Sequence, residues 1–403
     1  MSKQENERVK TVRDILAGRR KQADEAERLK VTTRCIRYWI ESFEKDGAEG
    51  LVHGNRGKES PRRIPKKERE KIASLIRNNY ADFGPTLASE KLKELHGICR
   101  DQKTVRSVMI EEKIWIPGSK TSRAPSVHRS WRERRSRRGE LVQFDGSYHN
   151  WFEGRDGQTE SCLLAAIDDA TGELLFAKFA EHEGTLPVMG FFTKYAEKHG
   201  LPASVYLDRF STYKMTQDVA VQNPDLKTQL QRAMKTLGVE LIFALSPQAK
   251  GRVERLFKTL QDRLVKEMRI RNISSVEEAN RFLEKTYLTS YSHKYRVEPK
   301  EAQDAHRPLG KRELDALPKT LCRMEKRVLQ NDFTVSFKSQ WFQILKTIGL
   351  AIRPKDPVVI RQFPDRSLSF TIRDKQTNTK LIPKRTRPGR VSRQRCTPTL
   401  VTT

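Results

Sequence analysis

The 403-residue sequence predicts a multidomain protein with an N-terminal all-α helix-turn-helix region, a central α/β core and a C-terminal small β-barrel. Three observations predict it. Short segments before residue 118 carry apolar residues at helical spacing. Between 139 and 300, strand-like runs alternate with longer helical periods. Across 327–373, short alternating runs are separated by Asn331-Asp332 and Pro364-Asp365.

In the first region, Val9, Val12, Ile15 and Leu16 mark one helix, Ala23, Ala26 and Leu29 a second, and Ile36, Tyr38 or Trp39, Ile40 and Phe43 a third. Thr32 or Thr33 is a candidate N-cap for the third helix, whose first turns carry Arg34 and Arg37. Three short helices with a tight turn before the last resemble a helix-turn-helix, with Arg34 and Arg37 toward a major groove. The turn has Lys30 where glycine is common. These elements make a first domain over 1–60. Ile72, Leu75, Ile76 and Tyr80, then Leu87, Leu92 and Leu95, then Val105, Val108 and Met109 define a second helical module over 61–118. It reads equally as a second DNA-contacting module or as a spacer. A basic linker, 119–138, holds Trp131, Arg132, Arg134, Arg135, Arg137 and Arg138 and suits contact with phosphates.

Composition narrows the partner. With 79 Lys and Arg against 51 Asp and Glu, the net charge of +28 points to a polyanion and away from an enzyme of small neutral metabolites. Five widely spaced cysteines suggest neither a disulfide framework nor a zinc pair. No apolar run approaches a membrane span, so the expectation is a soluble intracellular protein that binds nucleic acid.

The core, assigned to 139–300, reads as three strands, helix, strand, helix, strand, helix, the order of a ribonuclease H-like fold. Asp145 lies on the first strand, Asp208 just after the fourth, and Glu254 in the first turns of the last helix. Three carboxylates gathered from two strands and a helix repel one another unless divalent cations neutralise them, which suits phosphodiester chemistry. On that helix Val253, Leu256, Phe257, Leu260, Leu264 and Met268 form the inner face, and Glu254, Lys258 and Gln261 or Asp262 share an adjoining stripe. Lys250, Arg252, Arg255 and Lys258 are the candidate DNA contacts around the acids. Asp168 and Asp169 precede Thr171-Gly172 and read as turn formers.

Four blocks carry a family resemblance: Gln143-Phe144-Asp145-Gly146-Ser147, Ile167-Asp168-Asp169-Ala170-Thr171, Tyr206-Leu207-Asp208-Arg209 and Ser246-Pro247-Gln248-Ala249-Lys250-Gly251-Arg252-Val253-Glu254-Arg255. In order and content they resemble the integrase-type catalytic core of bacterial insertion-sequence transposases, the ISNCY-type group above all. The resemblance implies a DDE transposase that cleaves and joins DNA at the ends of an insertion sequence. It implies two Mg2+ or Mn2+ ions, with Asp145 bridging both, Asp208 on one and Glu254 on the other. It also implies double-stranded element-end and target DNA as partners, homo-oligomers on DNA, and a bacterial cytoplasmic, nucleoid-associated location. The 45 residues between Asp208 and Glu254 exceed the spacing common in the integrase superfamily, which points to a loop inserted at Ser211 to Lys227. A catalytically silent DNA-binding regulator derived from a transposase and a ribonuclease H-like nuclease are the competing readings. Beyond the core, the sequence suggests a connector over 301–326, the barrel over 327–373 and a disordered basic tail over 374–403.

Overall fold

The computed structural model describes residues 1–54, 56, 64–117, 133–208, 224–244 and 251–383. They fall into two compact units, Met1–Thr121 and Ser122–Thr403. No helix among the described residues is long and apolar enough to cross a membrane.

The first unit begins with α1 (Lys3–Leu16), α2 (Gln22–Arg28) and α3 (Thr33–Asp46), packed around Val12, Ala26, Ile36 and Trp39. Thr32 caps α3 by accepting from the Cys35 amide. Lys30 adopts the left-handed backbone, φ 54°, that the tight turn demands and that glycine would reach more cheaply. Arg34, Arg37 and Tyr38 stand exposed on α3. A second trio comes next, α4 (Lys66–Asn79), α5 (Pro85–His96) and α6 (Gln102–Glu111). Gly97 ends α5 in the left-handed conformation, and Asp101 caps α6.

The second unit is built on a five-stranded sheet of order β3-β2-β1-β4-β5: β1 (Leu141–His149), β2 (Ser161–Asp168), β3 (Leu174–Ala180), β4 (Ser204–Asp208) and β5 (Glu240–Ala244). β1, β2 and β3 are successively antiparallel, whereas β4 runs parallel to β1 and β5 parallel to β4. Every residue of β2 is buried, as a central strand covered on both faces must be. On one face α7 (Thr185–His199) packs Phe191 and Phe192 against Phe144. α9 (Gly251–Ile270) covers the other face, and α8 (Pro224–Leu237) lies beside α7. Of the predicted insertion, 211–223 lies outside the described residues, and α8 begins at Pro224.

β3 is an edge strand, and its free edge is covered. The Asn280 side chain of α10 (Val276–Phe282) accepts from the Phe179 amide at 2.7 Å and donates to the Phe179 carbonyl at 3.2 Å. A π-helical turn at Leu283–Tyr287 then leads into α11 (Leu288–Tyr295). Segments 133–140 and 301–307 are tied to this core. Arg138 bonds Glu173 and Asp304, Asp304 accepts from the His306 amide, and Tyr195 meets His306 at 2.6 Å.

The predicted connector contains a helix, α12 (Lys311–Thr320), with Leu317 buried beneath it. The strands beyond it do not close into the expected barrel. Among the described residues there are two separate sheets: a four-stranded one, order β11-β10-β9-β6, and a three-stranded one, order β12-β8-β7. Their strands are β6 (Arg323–Val328), β7 (Thr334–Phe337), β8 (Gln340–Ile344), β9 (Pro357–Gln362), β10 (Leu368–Ile372), β11 (Lys375–Thr377) and β12 (Thr379–Ile382). After the single residue Asn378 the chain leaves one sheet for the other, so strands of three to six residues pair within each sheet without closing a ring. Val335, Phe342, Ile360 and Phe370 form their common core. Residues 375–382, read from sequence as the start of a basic tail, are therefore ordered strands. This β-region is docked on the core. Gln229 exchanges two hydrogen bonds with the Met324 backbone, and Arg232 donates to the Thr320 and Cys322 carbonyls.

Gly139 holds one of these joints open: its φ is +76°, and an added Cβ would overlap the His306 ring. Gly139→Ala is expected to destabilise the protein by roughly 2 kcal/mol, from backbone strain plus the displaced His306. Urea unfolding at fixed protein concentration measures it.

Candidate active site

The first two acids lie on adjacent parallel strands, β1 and β4. Leu141 pairs with Ser204, Val142 with Val205 and Gln143 with Tyr206. The same register continued for two residues sets Asp145 level with Asp208, the last residue of β4.

The third acid is brought in by α9, which is fastened along β1 at two points. Side chains alternate between the faces of a strand, so Gln143, Asp145 and Ser147 share one face of β1. Upstream of Asp145, the Gln143 amide donates to Asp169 Oδ1 at 2.7 Å, and Arg252 of α9 donates to the same oxygen at 2.5 Å. Downstream, Gln261 of α9 donates to Ser147 Oγ at 3.2 Å. The two spans match. Four residue steps along the strand and nine along the helix each cover roughly 13 Å. Glu254 lies between the two fastenings, and Gln261, seven residues on, shares its side of the helix. Asp145 is half-buried and Glu254 exposed, the latter in the first turn of α9.

Asp169 is the residue that sequence reasoning passed over. It is completely buried and accepts from Gln143, from Arg252 and from the Arg135 amide at 2.9 Å. Its neighbour Asp168 behaves as a turn former, accepting from the Thr171 amide and hydroxyl and from the Gly139 amide. Burial pushes the Asp168 carboxyl above its ordinary value, with those three donors pulling the other way. Gly146, next to Asp145, is small for a reason on the opposite face of the sheet. A Cβ there would overlap the Glu183 carboxylate, which is buried beside Tyr148 and Cys162. Burial pushes the Tyr148 hydroxyl and the Cys162 thiol each up to about 12.

As potential metal ligands, the three acids offer only oxygen donors, the chemistry that suits Mg2+ or Mn2+ and not a soft metal. Among the described residues no three His, Cys, Asp or Glu side chains gather into a metal cage, and the Asp208 side chain lies outside that description.

No protein-family model matches the chain. It is 28% identical over 415 residues to the "Transposase for insertion sequence IS1202" of Streptococcus pneumoniae, covering 93% of this chain and 86% of that protein. It is 36% identical over 340 residues to "Putative transposase y4bF" of Sinorhizobium fredii (strain NBRC 101917 / NGR234), covering 84% of this chain and 72% of that protein. The chain belongs to the insertion-sequence transposases. Solved structures give weaker likenesses. One is a simian T-cell lymphotropic virus intasome in complex with PP2A regulatory subunit B56 gamma, 15% identical, TM-score 0.33, covering 78% of this chain and 100% of that one. Another is the HTLV-2 integrase catalytic core domain with magnesium in its dimeric form, 14% identical, TM-score 0.27, covering 36% of this chain and 85% of that one.

The basic residues singled out in the transposase sequence occupy different settings. Arg34 and Arg37 are exposed on α3, and Arg255 and Lys258 are exposed on α9. Arg134 donates to the Ala170 carbonyl at 3.0 Å, and Arg135 lies 3.5 Å from Glu140. Arg252 is mostly buried against Asp169, so its charge holds the start of α9 in place. Trp131, Arg132 and Lys250 lie outside the described residues.

Asp169→Ala leaves the Arg252 guanidinium and the Gln143 amide without their buried acceptor. A loss of about 3 kcal/mol or more is expected, as for other broken buried ion pairs. Denaturant midpoints measure it, and an unchanged midpoint would contradict the fastening described above.

Proposed function

We propose that this transposase is a DDE polynucleotidyl transferase that cleaves DNA at the ends of its insertion sequence and joins those ends to target DNA. The observation that carries the reading is the β1–β4 pairing, Leu141 with Ser204 through Gln143 with Tyr206, whose continuation by two residues would level Asp145 with Asp208, beside a helix fastened along β1. The fold order and the family relationship support it.

In this reading Asp145, Asp208 and Glu254 hold two divalent cations, Mg2+ or Mn2+. When bound, such ions stabilise the attacking and leaving oxygens of an in-line displacement at phosphorus. The chain's own contribution is placement. β1 and β4 are sheet strands and keep Asp145 and Asp208 at fixed separation, while the Asp169–Arg252 and Ser147–Gln261 bonds set the rotation and height of Glu254. Arg255 and Lys258 bring positive charge to the same helix surface, where a phosphate backbone would lie. The helix-turn-helix region reads the element ends through Arg34 and Arg37, and the protein works as a homo-oligomer on DNA in the bacterial cytoplasm.

Glu254→Gln keeps length and helix propensity but removes one charge and one metal-binding oxygen. Cleavage and joining are expected to fall more than roughly 100-fold, beyond the loss of an outer-shell partner. DNA binding should persist or tighten because a negative charge near phosphate has gone. Asp145→Asn and Asp208→Asn should behave alike. Donor-end cleavage and strand joining with Mg2+ or Mn2+, beside gel shifts on the same preparations, measure both. Near-normal joining by folded Glu254→Gln would sink the assignment, and a wild type that binds DNA without metal-dependent cleavage would favour a silent regulator.

Arg34→Ala and Arg37→Ala should each cost about 1–3 kcal/mol on the specific end and much less on random DNA. Equal losses on both DNAs would reduce α3 to backbone contact.

A further inference from the structure

A cleft of about 730 Å³ lies where the catalytic core meets the C-terminal β-region, remote in sequence from the three carboxylates. Its walls are the end of β3, the starts of α7 and α10, and the β7–β8 and β9–β10 turns. Four cations line it, Lys178, Arg323, Lys338 and Arg366, against the two carboxylates Glu181 and Glu277. Arg366 bonds Glu181 at 2.5 Å, Lys338 bonds Gln362 at 2.8 Å and Arg323 bonds Glu325 at 3.0 Å. The walls are fixed to one another, since Pro364 packs where a Cβ on Gly190 of α7 would come within 3.1 Å.

Two further observations single out the cations. Lys338 has φ 48° and Arg366 φ 67°, left-handed conformations that glycine reaches without strain. Two separate turns thus keep a basic side chain at a strained position, and both side chains line the same cleft. The cleft also opens at the end of the sheet toward which β1 and β4 run. Asp145 pairs with Ala165 and Ala165 with Ala177, so β3 runs parallel to β1 and its last residues lie beyond the level of Asp145. Two strand spacings across and four residues along amount to roughly 16 Å. That is about five nucleotides of duplex rise.

We propose that this cleft is a second phosphate-binding site, which grips the phosphodiester backbone of DNA engaged by the catalytic core. Lys338 and Arg366 are its principal contacts, and Lys178 and Arg323 are secondary. The proposal rests on the reading of the chain as a DNA-processing enzyme, and it adds the β-region joint to the DNA-bearing surface. A phosphate site requires the cations, and both turns present theirs to the same cleft.

The test uses full-length Lys338→Gly/Arg366→Gly. Relief of the positive-φ strain should leave the unfolding midpoint unchanged or raised. Loss of two phosphate contacts should weaken binding to random-sequence duplex about tenfold near 0.1 M salt and flatten the slope of log affinity against log salt by about 1.8. The variant Glu181→Gln/Glu277→Gln should shift affinity the opposite way, and it decides the matter if the glycine variant does not fold. Wild-type affinity and slope in both variants would overturn the proposal while leaving the catalytic reading intact. Wild-type protein that binds DNA through this cleft yet shows no metal-dependent cleavage would support the site and overturn the catalytic reading. Wild-type protein that binds no DNA would overturn both.

Discussion

A buried carboxylate that accepts from three donors on three segments fixes their relative positions, because moving any one of them leaves a charge or an amide without a partner in a dry interior. Asp169 is that carboxylate. It holds Gln143 of β1, Arg252 at the start of α9 and the chain entering the core at Arg135. The position of α9 along the sheet depends on this, and with it the place of Glu254. The second fastening, Gln261 to Ser147, is weaker and more exposed, so it adjusts rotation more than it supplies stability.

This arrangement separates two tasks within one short stretch of sequence. Arg252 and Glu254 are two residues apart, yet one is mostly buried and structural while the other is exposed. In β1 the same separation comes from strand alternation. Phe144 and Gly146 serve the packing against α7 and Glu183, while Gln143, Asp145 and Ser147 serve the face under α9.

Much of this was legible in the sequence, for physical reasons. The five core strands and their helices announce themselves through period and apolar runs, as Cys162 to Ile167 of β2 illustrate. The three acids stand out because two lie on strands and one in the first turn of a helix, elements that a sheet can set side by side. Asp169 did not stand out, since an Asp before Thr-Gly satisfies turn chemistry locally and its long-range partners leave no trace in spacing. α12 escaped notice because Leu317 is its single buried residue, too little for a period to show, and Pro318 sits inside it. The C-terminal strands were recognisable one by one, but whether short strands close into a ring depends on pairing between distant segments, which alternation alone does not encode. Lys30 shows the converse: the turn forms in spite of the residue, because packing of α2 on α3 outweighs a modest backbone strain.

The Asn280 clamp on Phe179 has a consequence for how the protein behaves at high concentration. A sheet margin exposes a row of amides and carbonyls that invites a neighbouring molecule to add its own strand, the first step toward fibrous association. One carboxamide, offering an acceptor and a donor as a peptide unit does, blocks that recruitment where β3 borders solvent. Such a stopper leaves any association of copies to side-chain contacts and not to backbone stickiness.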